Sequence, residues 1–424
     1  MGCRGSNDIA TLATGAETAA GPDIGGSMKR AFVFVLTTML LAAAGFVAAS
    51  GNRFMGLLST VQSVRQGEQS SQPPPAGLDF SPVDTTFQAF LDNSAIFDGI
   101  SYVVVDADAV LHTATFGDHS EDLVVMLAST SKVPAVMTLL AAAEDPEVSF
   151  SMDQPIGEVL PYEGIFGDRT PRQMVSNTSG IPGLRALDDY GDHLCQFSFL
   201  SLYTLESCGE ALFTTELTDT QPAGTVFDYG GSQWQLAGLT ASVAANAEWN
   251  QLVDRYLGEP CDLEVFTFGN MWQDLTRWQG SPDSLLGTQN PNIEGGAITN
   301  LADYAKLLQV HLNGGYCGAT RVLSEEAVAT MQVDLGGVVE SGPVPYGMGW
   351  WISTDHPGVF DDPGAFGAIS FIDTGRGIGA YVAIDDYTSV ASGAPINLVR
   401  DQIIECIQSV VDGQPQSCEV FISE

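Results

Sequence analysis

Ser129 and Lys132 are the residues of this chain best placed for covalent chemistry. They stand three apart in Leu127-Ala128-Ser129-Thr130-Ser131-Lys132, at the head of an apolar stretch. On the first turn of a helix that spacing puts hydroxyl and amine on one face. A serine hydroxyl is a weak nucleophile until a base takes its proton. A lysine becomes such a base when burial or its neighbours lower its pKa. The helix N-terminus adds free N–H groups suited to a developing oxyanion. The competing reading is a helix cap at Ser129 with Lys132 in solvent. Two features weigh against it. Lys132 runs into Val133-Pro134-Ala135-Val136-Met137, and the 424 residues hold just two other lysines, Lys29 and Lys306.

Helical spacing of Phe87, Phe90, Leu91 and Ile96 predicts a helix over residues 82–97. Residues 101–106 and 110–116 read as two strands of a hairpin. An apolar helix follows over 126–143, beginning near Ser129. The region of about 145–335 is helical and loop-rich, broken by Pro161, Gly180-Ile181-Pro182-Gly183 and Pro222-Ala223-Gly224. Strands return at 346–352, 365–373 and 377–384, and a helix over 396–411 closes the chain. The order implies an α/β chain of the α+β type. A central, mostly antiparallel sheet is formed from both chain ends and flanked by helices, with a helical region inserted.

Acidic residues number 52 against 15 Lys and Arg, a formal charge of −37. Binding to nucleic acid needs a broad basic face, which this composition excludes, and an anionic membrane surface is disfavoured likewise. The acid excess reads as a solvated surface. Residues 31–49 are uncharged and follow Lys29-Arg30, the order of a secretory signal. The run is also long enough to span a bilayer, so an N-terminal anchor is the alternative, and the one route to a membrane. Met28 offers a second start. Residues 50–77, with Pro73-Pro74-Pro75, read as a flexible linker. Six cysteines follow residue 77. Short loops favour Cys195–Cys208 and Cys406–Cys418, leaving Cys261–Cys317, and this fits an exported chain; six free thiols is the alternative. No cofactor or metal is expected. There is no Cys/His cluster of metal spacing, and Asp188-Asp189 with Asp192 lacks the spacing of a calcium loop. Trp272 and Trp278, with Phe266 and Phe268, suit a core or a cleft lining.

Ser129-Thr130-Ser131-Lys132 resembles the Ser-x-x-Lys of the serine β-lactamase-like hydrolases, which include penicillin-binding proteins, class C-type β-lactamases, related esterases and D-amino-acid peptidases. Further blocks occur in the family's order across about 80–410, within a predicted hydrolase domain over 78–424. Thr178-Ser179-Gly180-Ile181-Pro182 is similar to a His-Thr-Ser-Gly segment, with Asn177 for the His. Pro222-Ala223-Gly224, Phe227 and Tyr229 resemble the approach to Tyr-x-Asn. Gly295-Gly296-Ala297, Asp303-Tyr304 and Asn313-Gly314-Gly315 resemble a later helix, and Tyr346-Gly347-Met348-Gly349-Trp350 the strand before the third motif.

The resemblance implies a β-lactamase-like fold and acyl-enzyme chemistry. Ser129 is the nucleophile, Lys132 the base and Tyr229 a proton relay, biased toward phenolate by the lysine. The N–H groups of Ser129 and Ala365 form the oxyanion hole, and positions 231, 362 and 364 contact substrate. Two positions depart from the pattern. Tyr229-Gly230-Gly231 lacks the family's Asn, for which Ser232 or Gln233 could substitute. Asp362-Pro363-Gly364 carries an acid where Lys-Thr-Gly or His-x-Gly carries a base, unless it is a turn before a strand. None of the five histidines lies in a motif. An acid at 362 would repel a substrate carboxylate. The expected activity is therefore an exported esterase or D-amino-acid peptidase or amidase acting on a small ester, amide or peptide. The alternatives are a β-lactamase or D-Ala carboxypeptidase, and an inactive binding or regulatory protein on the same fold.

Overall fold

Both ends of the chain are needed to complete one sheet. The structure is a computed structural model that describes residues 77–93, 98–184, 195–197, 203–215, 221–270, 288–339, 342–385, 399–414 and 418. The proposed signal or anchor and most of the linker lie outside these residues, as do Asp188, Asp189, Asp192, Trp272 and Trp278. From the N-terminal side come β1 (Gly99–Asp106) and β2 (Val110–Gly117). From the C-terminal side come β6 (Trp351–Ile352), β7 (Val359–Pro363), β8 (Ile369–Asp373) and β9 (Ile378–Ala383). Their order is β6-β7-β8-β9-β1-β2, and every neighbouring pair is antiparallel. Ser101 lies opposite Ala383 and Asp106 opposite Ile378 where the two ends meet.

The β1–β2 hairpin turns where the sequence places an Asp. The Asp106 carboxylate accepts from the N–H groups of Asp108 and Ala109 at 2.9 and 2.7 Å, an Asx turn. Strand β1 is buried on both faces because both are covered. Its Ile100, Tyr102 and Val104 face a rear core shared with α1 (Ser81–Asp92) and α6 (Arg400–Val411). Val103 and Val105 face the front core, which includes α2 (Lys132–Glu144), α3 (Leu205–Thr214), α4 (Ser232–Ala245) and α5 (Leu301–Leu312). Helix α2 has no polar face; every residue from Lys132 to Ala142 is buried. Such a helix belongs to the interior of a layered domain.

A small sheet in the order β3-β5-β4 stands beside the head of α2, from β3 (Val125–Met126), β4 (Thr267–Phe268) and β5 (Ala297–Thr299). The three expected disulfides, Cys195–Cys208, Cys261–Cys317 and Cys406–Cys418, are all formed. They are the covalent pattern of a chain kept in an oxidising environment. Among the described residues, no helix is long and apolar enough to cross a membrane.

Several expected elements are corrected. The helix expected from 126 to 143 begins as β3, passes through a 3₁₀ turn (Ala128–Ser131), and becomes α-helical at Lys132. Residues 359–363, whose Asp-Asp-Pro carries no apolar alternation, form strand β7 rather than a turn. The strand expected from 365 starts at Ile369, because residues 364–368 make a tight loop closed by Gly364 N–H donating to Ala368 at 2.7 Å. Residues 346–352 contribute only Trp351–Ile352, since Gly349 at φ +84° turns the chain.

Candidate active site

Each residue of the Ser-Thr-Ser-Lys tetrad is fixed by a different part of the fold. Ala128 enters the turn at φ +49°, a left-handed conformation that a non-glycine residue seldom adopts. Ser129 comes next and stays partly exposed. Thr130 Oγ1 donates to the Asp362 carbonyl of β7 at 2.9 Å, and its own carbonyl accepts from Tyr304 of α5 at 3.1 Å. Ser131 Oγ accepts from the Ala297 N–H of β5 at 2.9 Å. Lys132 points into the floor of the site and is fully buried. The approach of β7 is so close that a Cβ on Gly364 would stand 2.1 Å from the Leu127 carbonyl oxygen and 2.8 Å from Thr130 Oγ1. Glycine at 364 is thus a requirement of packing.

The Lys132 ammonium lies 3.3 Å from Ser129 Oγ and donates to the Glu294 carbonyl at 3.0 Å. It also sits 3.5 Å from the Glu294 carboxylate. Its nitrogen is 4.6 Å from the Tyr229 ring centre and 5.3 Å from that of Trp234. Tyr229 is partly exposed, with Ser129 and Lys132 as hydrogen-bonding partners of its phenol. The structure therefore brings Ser129, Lys132 and Tyr229 together, as expected.

Their electrostatics depart from the expectation. Burial is the largest influence on Lys132 and works against its charge. Tyr229 and then Glu294 nevertheless outweigh it, with Asp362 the smallest of the three influences, and hold the lysine above its ordinary pKa. Burial likewise dominates at Tyr229, where it exceeds the opposing pull of Lys132 and keeps the group a phenol, not the expected phenolate.

Asn177, at φ +60°, explains the shape of the Tyr229-Gly230-Gly231 turn. Its Oδ1 accepts from Gly230 N–H and from Trp234 Nε1, both at 2.9 Å, and its carbonyl accepts from Asp228 N–H at 2.8 Å. Gln233 does not substitute for the missing Asn; its amide donates to the carbonyls of Asp228 and Gly230 and accepts from Ser179 Oγ. The residue that sequence reasoning missed is Glu294. It is buried, it follows β4 directly before Gly295-Gly296, and its Oε2 accepts from Gly231 N–H at 2.8 Å. The available signal was an acid abutting a glycine pair already singled out in sequence.

Asp362 is fully buried beneath the site rather than lining it, with the Val133 N–H facing its carboxyl group. Burial pushes its pKa well up, against the pull of Lys132. A neutral acid does not repel a substrate carboxylate, so that part of the expectation is withdrawn. Gly231 is buried at the turn, Gly364 is buried against Leu127, and Ala365 is partly exposed in the loop after β7 rather than on a strand. Phe227, Tyr229, Tyr346 and Trp351 form an aromatic wall. Tyr229 and Trp351 stack at 5.3 Å between centroids, and Tyr346 meets Trp351 edge-on at 5.0 Å.

The same arrangement of elements is found in known hydrolases. A candidate beta-lactamase from Bacteroides dorei superposes with a TM-score of 0.62 at 25% identity, over 79% of this chain and 100% of its own. A family VIII carboxylesterase gives 0.59 at 15% identity, over 82% and 99%. A D-stereospecific amidohydrolase from Streptomyces gives 0.54 at 17% identity, over 79% and 98%. No curated protein matches the sequence. The Beta-lactamase family profile matches residues 83–402, which spans the sheet from β1 to β9 and every motif described above, and the chain belongs to that family.

Proposed function

We propose that this protein is an exported serine hydrolase that works through an acyl-enzyme, with Ser129 as nucleophile and an ester or a D-amino-acid amide as substrate. The observation that carries the proposal is the 3.3 Å contact between a partly exposed Ser129 hydroxyl and a fully buried Lys132 amine. Ser129 Oγ bonds to the substrate carbonyl carbon. Its proton passes to the deprotonated Lys132–Tyr229 pair and then to the departing alcohol or amine. Water, deprotonated by the same pair, attacks the acyl carbon; the bond from that carbon to Ser129 Oγ breaks, the pair returns the proton to Oγ, and the acid is released. The N–H groups of Ser129 and Ala365 are assigned to the oxyanion. The aromatic wall suits an apolar acyl group.

Position 362 offers no positive charge to a substrate carboxylate, which disfavours β-lactam and D-Ala peptide substrates. The fold accommodates the proposed chemistry, being shared with an esterase and a D-stereospecific amidohydrolase. Lys132 and Tyr229 are both held above their ordinary pKa values, so the reactive, deprotonated pair grows as pH rises past neutrality. Turnover should rise toward alkaline pH, and a flat profile would contradict this proton path.

A fluorophosphonate probe, traced by mass spectrometry, should label Ser129 in the folded protein. Short esters, D-amino-acid amides and a chromogenic β-lactam identify the substrate class. Ser129→Ala should lower turnover of the active member roughly a thousandfold or more. Absence of any adduct would instead support a binding protein on this fold.

A further inference from the structure

We propose that Glu294 is the resident counter-charge of the buried Lys132 ammonium and that its carboxylate fixes Lys132 against Ser129. This rests on the reading of Ser129 and Lys132 given above. Three observations carry it. Glu294 reaches two partners at once, the Lys132 amine at 3.5 Å and the Tyr229-Gly230-Gly231 turn, through Gly231 N–H at 2.8 Å. The turn has given way to admit it. Gly230 and Gly231 stand at φ +71° and +82°, and a Cβ on Gly230 would lie 2.5 Å from Glu294 Oε2. Glycine at 230 thus leaves the room that the Glu294 carboxylate occupies. Finally, both ends of the ion pair are sealed, with 1% of the lysine side chain and 4% of the glutamate exposed.

The groups facing Lys132 are Ser129, Tyr229, Glu294 and Asp362. A closed site holding one ammonium is stable with one carboxylate charged, and the second is then neutral. Burial raises the pKa of both acids, but Glu294 has the Lys132 amine and a backbone N–H to stabilise its charge, with Gln196 beside it as well, while Asp362 is pushed well above the carboxylate range. Asp362 has the Val133 N–H facing it and the unfavourable charge of Asp361 next door. Glu294 is therefore the anion and Asp362 the uncharged acid.

The chain's three lysines make a direct test practical. Protein carrying lysine labelled with ¹³C at Cε gives few side-chain resonances, and the Lys132 signal is identified by its loss in Lys132→Arg. Its titration is followed in the wild type, in Glu294→Gln and in Asp362→Asn, beside the pH dependence of fluorophosphonate labelling. In Glu294→Gln the Lys132 midpoint and the acid limb of labelling should both move down by about one pH unit or more. In Asp362→Asn both should stay within about a third of that shift. Unchanged midpoints in Glu294→Gln, or a larger shift in Asp362→Asn, overturn the assignment. Should Glu294→Gln fail to fold, a shift in Asp362→Asn alone still refutes it, and an unshifted Asp362→Asn supports it. Wild-type protein that is never labelled at Ser129 defeats the hydrolase reading instead, while the lysine titration still reports on the ion pair.

Discussion

The two faces of the central sheet treat buried charge in opposite ways, and the adjacent aspartates of β7 show it. Asp361 faces the rear, where it meets Arg400 of α6 at 3.2 Å. Asp373 faces Arg376 at 2.8 Å and Gln408 of α6 at 2.8 Å. Both arginines remain about a third exposed, so the rear charges are bound at the rim of an otherwise apolar core. Asp362 faces the front, where Lys132 and Glu294 are sealed from water. Rear pairs fasten a helix to the sheet. Front groups sit in a setting where an ion pair has no net advantage over an apolar packing, and their retention points to chemistry rather than stability.

The comparison is most severely tested by unpairing a front charge. Lys132→Met should abolish labelling of Ser129 and also destabilise the fold by about 3–5 kcal/mol, because Glu294 is left charged and buried. Adding Glu294→Gln should return most of that stability without returning labelling. Urea unfolding of the single and double variants reads both effects, and additive losses would break the contrast between the faces.

Acid sensitivity separates the faces next. His311 of α5, in the front core, has no hydrogen-bond partner on either ring nitrogen among the described residues and packs edge-on to Trp350 at 5.2 Å. Burial lowers its pKa from 6.5 to about 4. The unfolded chain therefore binds the proton first, and stability present above pH 6.5 is lost as pH falls toward 4, by about 3 kcal/mol. His311→Leu should flatten this part of the stability profile. Equal slopes in the two proteins would exclude His311 as its source.

The rear face should show a smaller effect of opposite sign. Burial raises Asp361 from 3.8 to about 6, with Arg400 opposing. Here the folded state binds the proton first, so the contribution is full below pH 3.8 and is lost as pH rises through 6. Asp361→Asn should gain about 2 kcal/mol at pH 7 and nothing at pH 3.5, read from urea midpoints at the two values. A gain at both would mean that packing, not charge, governs the site.

The same division explains what could be read in the sequence. The rear core is periodic: Val83 and Phe87 on α1, alternate residues of β1, and the isoleucines of α6 reveal their faces locally. Hairpin and terminal helices were legible for that reason, whereas the disulfides were legible from two short loops and the pair that remained. The Ser129–Lys132 pair was legible because it lies within one turn. The rest of the front floor is assembled over long separations. Glu294 stands 162 residues from Lys132 and 63 from Gly231, and the Asp362 carbonyl 232 from Thr130. No local pattern announces such meetings. Strand β7 was missed on the same account, since its two acids point to opposite faces and are each answered from elsewhere.

The joining of the chain's two ends in one sheet also fixes when the protein acquires its chemistry. Strand β1 is flanked by β9, and the turn that carries Ser129 is held by β7. A chain emerging N-terminus first has Ser129 and Lys132 long before it has the strands that lock them. Closing so long a loop comes late in folding. A half-synthesised chain therefore lacks the proposed site, which is assembled only once strands β7 and β9 have been made.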